Sequence, residues 1–118
     1  NYPDGFLRTS VNQLSVYARA YLNGGEFGGR RILKNSSIEA MLTDQNIPGN
    51  RSQGLTWYAD QEMAGEPKWG HGGSDPGSNT DMRLLPAQGV GAIVFANTNG
   101  IVPTEISDQL LELALELV

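Results

Sequence analysis

Between Leu55 and Asn97 the chain turns four times to strand chemistry, and these short runs, set between helical patterns on either side, limit the folds open to it. The runs are Leu55–Ala59, Pro67–Gly73, Thr80–Leu85 and Val90–Asn97, each separated from the next by turn residues, which predicts an antiparallel meander. In Val90-Gly-Ala-Ile-Val-Phe-Ala96 both alternating faces are apolar or small. A strand of that kind is covered on both sides rather than half solvated.

The flanking helices are equally marked. Ser10-Val11-Asn12-Gln13 has the form of a capping box, so a helix is expected to run to about Leu22 with Val11, Leu14, Tyr17, Ala18 and Tyr21 on its apolar face. Asn23-Gly24-Gly25 supplies its stop, and Gly28-Gly29 punctuates a short connection. Ser36-Ser37-Ile38-Glu39 repeats the capping logic for a shorter helix carrying Ile38, Met41 and Leu42. Residues 44–54 are poor in apolar side chains and read as an exposed loop, the segment expected to be most flexible. Pro103 suits the first turn of a C-terminal helix, whose buried face is read as Ile106, Leu110, Leu113, Ala114 and Leu117, with Glu105, Asp108, Glu112 and Glu116 mostly outward. Helix, helix, strands, helix predicts an α+β fold: an antiparallel β-meander with flanking helices.

Composition narrows the function classes. With 39% hydrophobic and 18% charged residues, a chain of 118 residues forms one globular domain. Its net charge is -5 and its eight Lys and Arg residues are scattered, so nucleic acid is not an expected partner. There is no cysteine and one histidine, which makes neither a disulfide framework nor a metal site. No apolar run approaches the ~18 residues that span a bilayer, and no signal-peptide pattern appears. Tyr2-Pro3-Asp4-Gly5 reads as a turn from the middle of a protein, so a processed or truncated product is expected.

The chemistry concentrates in Lys68-Trp-Gly-His-Gly-Gly-Ser-Asp-Pro-Gly77, where the lone histidine lies on a strand that runs into a Pro-Gly type II turn. Gly72 and Gly73 allow close approach of a substrate carbonyl, and an N–H from Gly73 or Ser74 is placed to stabilise an oxyanion. Ser74 and Ser78 themselves read as turn serines rather than nucleophiles, since no motif-spaced lysine or second histidine activates them. Trp57 and Trp69 read as core.

His71-Gly72-Gly73-Ser74-Asp75-Pro76-Gly77, followed by Gly91-Ala-Ile-Val-Phe-Ala-Asn97, resembles the serine β-lactamase and penicillin-binding-protein-like family, nearest to class C β-lactamases and related esterases and peptidases. Tyr2–Ser10, Leu22-Asn-Gly-Gly25 and Gly54-Leu-Thr-Trp57 resemble that family's segments in the same order, so the likeness covers nearly the whole chain. The family uses an S-x-x-K nucleophile, a Y-x-N or Y-x-S proton-transfer element, and a K-T-G-like or H-x-G-like triplet on the strand lining the site. His71-Gly72-Gly73 matches the third. The resemblance implies that His71 orients or protonates groups near the nucleophile, that Gly72 and Gly73 admit substrate, that the Ser74 amide forms half of an oxyanion hole, and that Asn97 and Asn99 reach a substrate carboxylate. It also implies a small-molecule acyl substrate, no cofactor, and a periplasmic or secreted parent protein.

No Ser or Thr is followed by Lys at the third position, and none of Tyr2, Tyr17, Tyr21 and Tyr58 is read as the start of a Y-x-N or Y-x-S element. Nucleophile and general base are therefore expected outside these residues, in a longer parent of which this is the C-terminal part. The sheet would then lack strands that pair beside Val90–Asn97, and its exposed edges predict self-association. The rival reading is a noncatalytic binding or scaffold module that keeps the sheet without the chemistry.

Overall fold

A computed structural model describes Gly5, residues 7–49 and residues 52–118. The turn read at Tyr2-Pro3-Asp4 lies outside the described residues. The fold is α+β, in the order α1 (Val11–Leu22), β1 (Glu26–Phe27), β2 (Arg30–Arg31), α2 (Asn35–Met41), β3 (Tyr58–Met63), β4 (Glu66–Asp75), β5 (Ser78–Leu85), β6 (Val90–Ala96) and α3 (Pro103–Leu115). The last four strands form one antiparallel meander, β3-β4-β5-β6, and β1 and β2 form a separate hairpin.

α1 begins as its sequence predicts. The Ser10 hydroxyl accepts from the Gln13 amide at 3.2 Å while the Gln13 side chain accepts from the Ser10 amide at 3.1 Å. α2 departs from expectation: Lys34 stands at its N-cap with no side-chain bond, and Ser36 lies inside the helix. Asn35 instead donates to Glu39 at 2.5 Å, one turn on. The short connection at Gly28-Gly29 is the turn of the β1–β2 hairpin, where both glycines take positive φ, 59° and 77°, as a two-residue type I′ loop requires.

The first long strand is shifted along the chain, running Tyr58–Met63 instead of Leu55–Ala59. Thr56 has φ 67°, outside the extended region, and Leu55 is left exposed. β4 and β5 run further than expected, to a two-residue loop at Pro76-Gly77, where Gly77 has φ 79°.

Register separates the two faces of the meander. Ala59, Trp69, Leu84 and Gly91 stand in one row, followed on the same face by His71, Met82 and Ile93. α1 and α2 cover that face, giving a core of Ala18, Tyr21, Ile38, Trp57, Ala59, Trp69 and Leu84. The two tryptophans are thus core residues. Leu85, Val90 and Ala92 point the other way, onto Leu111 of α3. β6 departs from the expectation of full cover: Val90, Ala92 and Val94 are buried under α3, whereas on the opposite face Ile93 is half-buried and Gly91 and Phe95 are exposed.

The face of α3 is a correction. Ser107 and Leu111 are fully buried, with Ala114 and Leu115 beside them, while Ile106, Leu110, Leu113 and Leu117 are exposed. Ser107 fits inside because its hydroxyl donates to the Pro103 carbonyl at 3.0 Å, so a small polar residue sits against the sheet with its hydrogen bond made. Asp108 is not a free outward charge either. Its carboxylate meets the buried Lys68 ammonium at 2.6 Å.

Candidate functional site

The pairing of β3 with β4 ends at Tyr58 opposite Gly70, whereas β4 continues through His71, Gly72, Gly73, Ser74 and Asp75 paired only to β5. Among the described residues no strand lies along the other edge of this overhang. A two-residue loop makes Asp75 and Ser78 the closing hydrogen-bonded pair, and antiparallel alternation then turns the amides of Ser74 and Gly72 away from β5, toward the open edge. Of the two amides that the sequence reading offered for an oxyanion hole, that of Ser74 thus faces outward, whereas that of Gly73 faces into the ladder with β5.

A cleft of about 1040 Å³ lies along this overhang, between β4 and the start of α1. His71, Gly72, Gly73 and Ser74 all line it, so the structure brings these four predicted site residues together. His71, Gly73, Thr80, Met82 and Phe95 share the cleft face of the sheet, and Leu7, Leu14 and Tyr17 stand opposite. The His71 side chain is exposed, with its ring 5.4 Å from that of Tyr58. At Gly73 a Cβ would stand 2.8 Å from the Thr80 hydroxyl, closer than real side chains approach, so glycine keeps the strand and its neighbour at this spacing.

Tyr17 contributes a wall rather than a base. Its hydroxyl donates to that of Tyr21 at 3.1 Å; burial first, then that hydrogen bond and repulsion from Tyr21, raise its pKa well above the ordinary phenol value. The reading that no tyrosine begins a Y-x-N element is corrected at Tyr21-Leu22-Asn23, which has that spacing. Tyr21 nevertheless packs in the core: it is buried, its ring lies 4.9 Å from Trp57, and its hydroxyl meets the Met41 sulfur at 3.2 Å. Besides Tyr17, the hydroxyl-bearing residues that line the cleft are Thr9, Ser74, Ser78 and Thr80, and no lysine is among its described lining residues.

Asn97 and Asn99 are not among the lining residues. Asn97 is exposed after β6. The Asn99 side chain is engaged by the hairpin tip: its carbonyl accepts from the Gly77 amide at 2.6 Å and its amide donates to the Asp75 carbonyl at 3.0 Å. Asn79 adds a bond from the tip to the Ile101 carbonyl at 3.3 Å. These ties hold the overhang from its far end, a positioning role that the sequence reading did not foresee.

Comparison with protein-family models, curated proteins and solved structures finds no match.

Below the overhang, on the α3 side, Arg83 bridges Asp81 and Asp60, with its Nε 3.0 Å from one Asp81 oxygen. Gly70 makes room for this group, since a Cβ there would stand 2.5 Å from the Arg83 side chain. Asp81 and Arg83 are buried, Asp60 is half-buried, and the three charges are mutually paired, which suits a structural anchor under the site better than a reactive group. No described helix is long and apolar enough to cross a membrane.

Proposed function

We propose that this chain supplies the histidine and oxyanion wall of a serine acyl-hydrolase of the β-lactamase-like kind, as its C-terminal part. One observation carries the reading: His71 and an outward-facing Ser74 amide lie on the same stretch of β4, paired to β5 on one side and open along its other edge among the described residues, beside a cleft large enough for a small-molecule acyl substrate. In acyl transfer, carbonyl attack places negative charge on oxygen, and a fixed amide donor stabilises it where water is displaced. An exposed imidazole nearby can hold or deliver a proton to the leaving group. The nucleophile and its base come from outside these 118 residues, and the substrate is a β-lactam, an ester or a D-alanyl peptide.

The test is covalent labelling with a fluorescent penicillin and a fluorophosphonate. The 118-residue chain alone is expected to take no label, whereas the full product of its gene is labelled at a serine outside these residues, and His71→Ala slows that labelling by about 10²-fold or more. Label on Ser74 would overturn the assignment. Saturable ligand binding by the full product, with no label and no turnover, would replace the hydrolase with a binding module.

A further inference from the structure

The side of the molecule bounded by β6 is unguarded. β6 pairs only with β5, so among the described residues its outer edge is open from Val90 to Ala96. Carrying the alternation across from the Asp75–Ser78 closing pair, the amides of Gly91, Ile93 and Phe95 point out from that edge. α3 adds an apolar flank on the same side. Asp108 leans toward the middle of the sheet, where it meets Lys68 of β4. Ile106, Leu110, Leu113 and Leu117 lie on the other side of the buried line through Ser107 and Leu111, and are 37%, 42%, 58% and 86% exposed.

The two outer strands of the sheet are built differently. β3 carries Asp60 and Glu62 and has a register shift against β4 between Ala59 and Glu62, features that discourage edge pairing. β6 has no charge, no proline and an unbroken register.

We infer that in the 118-residue chain this face pairs with a second copy, β6 against β6, antiparallel about Ile93. Symmetry about Ile93 sets Ala92 opposite the partner's Val94, Gly91 opposite the partner's Phe95 and Val90 opposite the partner's Ala96. Every side chain keeps its own face, no like charges meet, and an aromatic ring covers a glycine. The same two-fold axis lays the two α3 flanks side by side. A strand edge of about 20 Å with a helix above and below makes a side roughly 20 Å by 30 Å, comparable with the ~800 Å² per partner of a stable interface. The pairing requires only the edge and the helix flank, and stands apart from the hydrolase reading.

Sedimentation of the 118-residue chain over a concentration series tests it. The mass is expected to rise from 12.7 kDa to twice that value and stop. Hydrogen exchange should show the amides of Gly91, Ile93 and Phe95 gaining protection as concentration rises. The double variant Leu110→Lys/Leu113→Lys, at exposed positions, should keep its circular dichroism and melting temperature as a monomer while weakening association more than about tenfold. A monomer at every concentration, growth beyond two copies, or outward amides unprotected in the dimer would overturn the inference.

Discussion

Single side chains in this protein act chiefly by holding backbone in place, and Asp44 shows the consequence for acid stability. Its carboxylate accepts from the Ser52 hydroxyl at 2.7 Å and from the Asn46 amide at 2.8 Å, and lies 3.4 Å from the Gln53 amide. The Ser52 bond first, then the Asn46 amide, lower its pKa below the ordinary 3.8, with burial opposing weakly. A carboxyl whose folded pKa is depressed binds fewer protons folded than unfolded, so its contribution is full above about pH 4 and disappears as pH falls through the folded value. Asp44→Asn should therefore lower stability at neutral pH and flatten its decline below pH 4, as read by urea titration at stepped pH; an unchanged acid limb would refute the role. None of this was legible in residues 44–54, because a run poor in apolar side chains shows only that a segment is exposed, not that its two ends are tied. Asn99 was hidden for a similar reason. Its partners lie more than twenty residues back along the chain, and nothing local in Thr98-Asn99-Gly100 announces them.

At the level of elements, α3 is the sharpest disagreement between pattern and structure. Its leucines occur at helical spacing on two neighbouring stripes, and periodicity alone does not say which stripe meets the sheet. The deciding residue is Ser107, which a hydrophobicity pattern places outside but whose small size and satisfied hydroxyl let α3 sit close to β6. Leu111→Ala should cost about 2–5 kcal/mol, whereas Leu113→Ala should change stability by less than about 0.5 kcal/mol. Guanidinium melts of the two variants under conditions that keep the chain monomeric would distinguish the stripes; a larger loss at Leu113 would restore the sequence reading. The strands were read better than the helix faces. Turn residues placed the ends of β5 and β6 to within a residue, but β3 runs to Met63 rather than Ala59 and β4 to Asp75 rather than Gly73, and the doubly apolar β6 is buried only on its α3 face. What remained hidden was the offset of β3 along β4, which comes from the positive φ at Thr56 and leaves His71–Asp75 beyond the reach of β3.

Across the whole molecule the sheet divides two apolar clusters that share no residue, one with α1 and α2, the other with α3. Leu84 and Leu85 are fully buried neighbours on β5 that point into opposite clusters, so neither cluster can lose its strand without exposing the other. Trp57 and Trp69 both belong to the α1 cluster, yet their emission should track the far-ultraviolet signal at every denaturant concentration. An earlier loss of helix signal at constant emission would mean that α3 melts as a separate unit. The fold class was legible at this scale, since the order of elements fixes an antiparallel sheet with helices against it; the cleft was not, because it forms between the start of α1 and a strand some sixty residues away. That cleft is bounded by a strand with one free edge, which resembles a beam rather than a tongue. β3 and β5 clamp it at Gly70, and Asn99 pins its tip at Gly77. A beam fixed at both ends resists sideways bending far more than one fixed at a single end, so the Ser74 amide can meet a ligand along an open edge and still keep its aim.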